Sequence, residues 1–190
     1  MSFLTFASLS PRHARRAFLG RSGAMLSATA VALLAGRESL AKGPTATEAD
    51  ARILNTALGA ELEAIAAYQL GAESGLLQKP VLDLAVTFQG HHRQHADVLA
   101  KTVAKLGGKP VSAKAKYAFP VEALKTQADV LRFAATLEKG AVSAYLGAVP
   151  LFGDRDLAKA AASILGDEAM HWAVLRNALG EAPVPDAFVS

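Results

Sequence analysis

The 190-residue sequence predicts an all-α protein, an antiparallel four-helix bundle built from two duplicated helical hairpins. Three observations carry this. Four stretches repeat their apolar residues at helical spacing. Outside them no stretch alternates apolar and polar residues over five positions, so no strand is expected. The second half of the chain also repeats the polar pattern of the first, with one longer connection between the halves.

The N-terminal part is expected to be a separate element. Residues 11–45 read PRHARRAFLGRSGAMLSATAVALLAGRESLAKGPT. Arg15-Arg16-Ala17-Phe18-Leu19 resembles the twin-arginine export motif. An apolar stretch follows from Ala24 to Gly36, shorter than the roughly 20 residues that span a bilayer. Ser39-Leu40-Ala41 supplies the small residues a signal peptidase needs. The expectation is an export signal over residues 1–41, cleaved after Ala41, and a helical domain over residues 42–190. A retained membrane anchor is the alternative.

Composition agrees. Cysteine is absent, which excludes disulfides and thiolate metal sites. Apolar residues make up 52% and aromatics only 6%, which favours helices packed through small side chains. The formal charge of +3 belongs to the signal. Removing it takes Lys+Arg from 20 to 15 and Asp+Glu from 17 to 16, a net of −1, so no nucleic-acid partner is indicated.

Within the domain, the first helix is expected from about Thr47 to Leu77, capped by Thr45 or Thr47, with Pro80 after its end. Its apolar stripe is Ile53/Leu54, Ala57/Leu58, Ile65, Tyr68 and Ala72. The second runs from about Val81 to Leu106 on Leu84/Ala85, Phe88, Leu99 and Val103. Gly107-Gly108-Lys109-Pro110 stops it. Residues 109–121 read as a connection. The third helix runs from Val121 or Thr126 to Val149, before Pro150. The fourth runs from about Asp156 to Leu179, before Gly180.

The repeat is specific. GAELEAIAAYQLGA at 59–72 matches ATLEKGAVSAYLGA at 135–148, which aligns Glu61 with Glu138 and Tyr68 with Tyr145 at an offset of 77. HRQHADVL at 92–99 matches EAMHWAVL at 168–175, which aligns His95 with His171 at an offset of 76. The polar members sit on the apolar stripes. Glu61 lies four residues before Ile65, Glu138 four before Val142, and Glu168 four after Ile164. His92 lies four after Phe88, His95 four before Leu99 and His171 four before Leu175. Six ionisable residues from four helices therefore converge in one core. Burying them is costly unless a cation, a proton or a charged partner compensates.

At these residues the chain resembles the ferritin-like superfamily, and most of all its small exported members with twin-arginine signals. The resemblance covers roughly Thr47 to Leu179 and the signal. It implies a ferritin-like bundle and a metal site made by Glu61, His92, His95, Glu138, Glu168 and His171. The pattern of one Glu from each of two helices and Glu-x-x-His from each of the other two suits two metal ions.

The sequence departs from that pattern at His92, where Glu is expected. A neutral imidazole has one free lone pair and does not bridge two ions. Glu61, Glu138 and Glu168 also leave one positive charge of two divalent ions unbalanced. The cofactor is expected to be iron, as a di-iron or a mononuclear site, with manganese, zinc or copper as alternatives, or no metal at all; the departure at His92 disfavours the dinuclear site and favours a mononuclear or nitrogen-richer one. Gln89-x-x-His92 is a second register, which breaks the match to His171.

Each residue also has an ordinary structural reading. Glu168 and His171 can be a buried hydrogen-bonded pair, His95 a satisfied core histidine, and His92 a partner of Glu61 or Glu168. Tyr68 and Tyr145 can be plain core residues or donors to the glutamates. His91 is read as solvated and Glu63 as exposed. Trp172 is read as core or interface packing.

Two functions follow. One is an exported, periplasmic metalloprotein for oxygen or peroxide chemistry or metal handling. The other is a non-enzymatic bundle that has lost its metal and serves as a stress-related or interaction protein. Whether the chain is an enzyme stays open. The expected partner is the twin-arginine export machinery, with no nucleic acid, no stable membrane anchor after cleavage, and a homodimer left open.

Overall fold

The computed structural model describes residues 44–189. The expected signal over residues 1–41 lies outside them. Four long helices make up the described part: α1 Ala46–Glu73, α2 Lys79–Lys105, α3 Gln127–Ala148 and α4 Arg155–Ala178. Short 3-10 turns occur at Val121–Ala123 and Val149–Leu151. Among the described residues there is no strand, and no helix is long and apolar enough to cross a membrane.

The helix starts follow capping chemistry. Thr45 caps α1, accepting from the Glu48 N–H while the Glu48 carboxylate accepts from the Thr45 N–H. Thr126 and Asp129 form the same box at α3. This settles the start of the third helix at Thr126. Val121–Ala123 is a separate turn before it. Asp154 caps α4 through the N–H groups of Asp156 and Leu157.

Two boundaries differ from expectation. α1 ends at Glu73, before Leu77, where Ser74 turns back onto the Gly71 carbonyl. α2 begins at Lys79, before Val81, because Pro80 occupies its first turn. Proline is tolerated there, since its missing N–H would have had no helical partner. α2 stops as expected: Gly107 takes φ of 80°, and Gly108 N–H donates to the Val103 carbonyl.

α1 and α2 form one hairpin and α3 and α4 the other. The long connection is pinned to α1 by Asn55, which donates to the Lys109 carbonyl and accepts from the Val111 N–H, both at 2.8 Å. α1 and α3 lie antiparallel. Asp50, near the start of α1, accepts from the N–H groups of Gly153 and Asp154 beyond the end of α3. At the other end the two helices meet closely, and a Cβ at Gly71 would lie 3.1 Å from Val130 Cγ1.

The apolar core is in two parts. Leu54, Leu58, Leu99, Val103 and Ile164 belong to one, and Tyr68, Phe88, Leu131 and Leu175 to the other. A layer of buried polar groups lies amid them on the same helices: Glu61, His92, Glu138, Glu168 and His171 are each at most 3% exposed.

Candidate metal centre

All six residues picked from the sequence meet in this layer. α1 supplies Glu61, α2 supplies His92 and His95 one turn apart, α3 supplies Glu138, and α4 supplies Glu168 and His171. The spacing of three residues in His92-x-x-His95 and Glu168-x-x-His171 puts each pair on one helix face.

The cluster has two halves. In one, Glu61, His92, His95 and Glu168 bring ligand atoms together. His92 Nδ1 lies 2.8 Å from Glu61 Oε2 and 3.6 Å from Glu168 Oε1, and His95 Nδ1 lies 3.1 Å from Glu168 Oε1 and 3.6 Å from Glu61 Oε2. In the other, Glu138 Oε1 lies 3.2 Å from His92 Nε2 and 3.5 Å from His171 Nδ1, which is also 3.5 Å from Glu168 Oε2. Glu168 turns one oxygen to each half, and His92 turns one ring nitrogen to each.

These separations are those of ligands around a shared centre. Nitrogen and oxygen atoms about 2.1 Å from one ion stand about 3.0–3.4 Å apart. Alignment gives the same reading. Among the described residues, the buried side-chain atoms that lack a hydrogen-bond partner are His95 Nδ1, Glu138 Oε2, both oxygens of Glu168 and His171 Nδ1. All five belong to this cluster. They are close to one another but not aimed at one another. A buried polar atom without a partner costs about 1–3 kcal/mol, so five together mark a site shaped for something else.

Two tyrosines brace the glutamates. Tyr145 donates to Glu61 Oε1 at 2.6 Å, and Tyr68 donates to Glu138 Oε1. Tyrosine and glutamate are seven residues apart on each helix, about 10 Å. Because α1 and α3 run antiparallel, each tyrosine reaches the other helix's glutamate. Both are therefore donors behind the site. Burial, and then the carboxylate each one faces, raises both phenols well above their ordinary range.

The charges are tightly linked. Burial opposes ionisation of Glu61 and of Glu138, yet the neighbouring imidazoles outweigh it and hold both carboxyls below the usual range. Burial also opposes charging the imidazoles, and the carboxylates again win. His92 is raised to about 10, and His95 and His171 to about 9. The raised imidazoles and the lowered carboxyls of Glu61 and Glu138 thus stabilise one another's charge, and a cation can take the place of the imidazole protons.

Some residues fall where the sequence did not put them. His91, read as solvated, is only half-exposed, and its Nδ1 lies 2.8 Å from His171 Nε2. It sits one step off the stripe, but the stacked rings of Phe88 and His171 draw it inward. Asp167 was missed altogether. Its Oδ2 lies 3.3 Å from each of His91 Nδ1, His95 Nε2 and His171 Nε2. The available signal was Asp167-x-x-x-His171, four apart on one helix. Glu63 is half-buried rather than exposed. Gln89 is buried but turns away, donating to the Ile65 carbonyl and to Gln69, so it is not in the cluster. Trp172 packs at the core edge, with Lys139 and Arg176 over its ring.

Residues 49–181 match the family described as the ferritin-like domain. The chain belongs to that family. Among solved structures it is similar to a conserved hypothetical protein of Mycobacterium tuberculosis, with 25% identity and a TM-score of 0.66 over 76% of this chain and 99% of that one. It is also similar to a ferritin-like, diiron-carboxylate protein of Bacillus anthracis, with 19% identity and a TM-score of 0.61 over 72% of this chain and 99% of that one. No curated protein matches. The fold is thus ferritin-like, and the buried Glu/His cluster of this ferritin-like chain fits metal binding.

Proposed function

We propose that this ferritin-like chain is an exported, periplasmic metal-binding protein that uses the core cluster for oxygen or peroxide chemistry or for metal handling. The five unpartnered buried ligand atoms carry the metal-binding part of this reading. The diiron-carboxylate relative makes iron the first candidate. Three imidazoles beside three carboxylates also suit manganese, zinc or copper. A bound transition ion would supply a Lewis acid and, for iron, manganese or copper, an electron donor or acceptor.

The chain's own residues set the terms. Glu168 presents one oxygen to each half and is the natural bridge. His92 serves one half with its lone pair and donates its N–H to the other, so the halves are unequal and one firmly held ion is favoured over two. Tyr68 and Tyr145 orient Glu138 and Glu61. Carriage by the twin-arginine machinery suits a protein that is folded, with its cluster formed, before export.

A second reading keeps the bundle and drops the metal, leaving a stress-related or interaction protein. The mutual stabilisation of the raised imidazoles and the lowered carboxyls of Glu61 and Glu138 favours it. Elemental analysis of untagged protein from the periplasm separates the two. At least about one ion per chain, with a melting temperature lowered by chelator, is expected. No metal, and melting indifferent to both chelator and added ions, sinks the metal reading.

A further inference from the structure

The histidines of the core have a second side. His171 Nδ1 faces Glu138 and Glu168, but its Nε2 faces outward, toward His91 and Asp167. We propose that His91, Asp167 and His171 form a second, solvent-facing site for one divalent transition-metal ion, with a coordination position left open.

The geometry is that of a three-ligand face. His91 Nδ1 and His171 Nε2 are 2.8 Å apart, and Asp167 Oδ2 is 3.3 Å from each. Three donors around a common ion at about 2.1 Å stand about 3.0–3.4 Å apart, and two imidazoles with one carboxylate are a donor set used for zinc and for ferrous iron. At 2.8 Å the two ring nitrogens stand slightly closer than two ligands of one ion and at hydrogen-bond distance, so one ring donates to the other until an ion replaces that proton.

Access and support are present. The His91 side chain is 38% exposed and that of Asp167 24%, so an ion reaches them from solvent, while His171 is anchored in the core. Phe88 stacks on the His171 ring at 4.0 Å between centroids and fixes its plane. His95 Nε2 lies 3.3 Å from Asp167 Oδ2 and orients the carboxylate from behind.

His171 ties this site to the core. A neutral imidazole has one lone pair, so an ion held at Nε2 leaves a proton on Nδ1 facing the two glutamates. An ion held at Nδ1 sends the proton outward to Asp167. The outer site therefore takes its ion while His171 Nδ1 keeps its proton toward the glutamates. It does not depend on the core holding metal.

The test is a titration of the purified, chelator-stripped protein with cobalt(II), followed by its visible absorption and by equilibrium dialysis. Wild type is compared with His91→Ala, Asp167→Asn and Glu61→Gln, each checked for wild-type helix content. His91→Ala and Asp167→Asn are expected to weaken one class of bound cobalt by at least about tenfold and leave the remainder intact. Glu61→Gln is expected to spare that class. If His91→Ala and Asp167→Asn both titrate like wild type, the outer site is overturned. If Glu61→Gln titrates like wild type, it is the core reading that fails.

Discussion

At the scale of single residues, His92 decides what the core can hold. It stands where its symmetry mate on α4 is Glu168, and its two ring nitrogens face the two halves that Glu168 spans with two oxygens. His92→Glu would give four carboxylates against two imidazoles. In stripped protein this removes a cation from a buried network, and breaking such a pair costs about 3–5 kcal/mol. With metal, four carboxylates neutralise two divalent ions. The expected result is a lower melting temperature in chelator and a core stoichiometry that rises from one ion to two. Unchanged melting and unchanged stoichiometry would mean that His92 is not part of the charge balance. The six clustered residues were legible because each lies at helical spacing on an apolar stripe, and because Glu61 and His95 recur as Glu138 and His171 at offsets of 77 and 76. His91 and Asp167 were not, because their side chains lie off those stripes and meet only when α2 and α4 pack. Asp167-x-x-x-His171 sets Asp167 beside the histidine of its own helix, but no pattern within one helix reports the meeting with His91.

At the scale of elements, caps and turns were readable where one residue type carries the chemistry. Thr45, Thr126 and the Gly107-Gly108 stop are of this kind. Asp50 is different. It lies just past the first turn of α1, where an acidic residue reads as a partner of the helix dipole, and that reading needs no tertiary contact. In the structure it is buried and holds the turn between α3 and α4, accepting from Gly153 N–H at 2.8 Å and Asp154 N–H at 3.0 Å. It thereby ties the start of the first hairpin to the bend of the second. A Cβ at Gly153 would lie 3.3 Å from that of Ala46, so the turn packs closely against the start of α1. Asp50→Ala strands two backbone donors, and the expected loss is about 2–4 kcal/mol in urea denaturation. Because the turn leads into α4, which carries Glu168 and His171, metal affinity should fall with it. A variant with unchanged urea midpoint would show that the two N–H groups find water instead.

At the scale of the whole molecule, the buried layer makes stability and metal binding respond to pH in opposite directions. In stripped protein the imidazoles of His92, His95 and His171 are raised from 6.5 to about 10, 9 and 9. Their contribution to folding is complete below pH 6.5 and is lost as pH rises through 9 to 10. Glu61 and Glu138 are lowered from 4.5, so their contribution is present above pH 4.5 and is lost as pH falls further. The stripped protein is therefore expected to melt highest between about pH 4.5 and 6.5 and to weaken on both sides. Metal uptake runs the other way, because the imidazoles must give up their protons to become ligands. Ion affinity, and the gain in melting temperature on adding metal, should climb from pH 6.5 toward 9 while the stripped protein declines. Two series of melting curves measure this, one in chelator and one with a saturating transition ion. Diverging profiles above pH 6.5 are expected. Parallel profiles would mean that no imidazole proton is exchanged for metal, and the cluster would then be a hydrogen-bonded core held by its own protons.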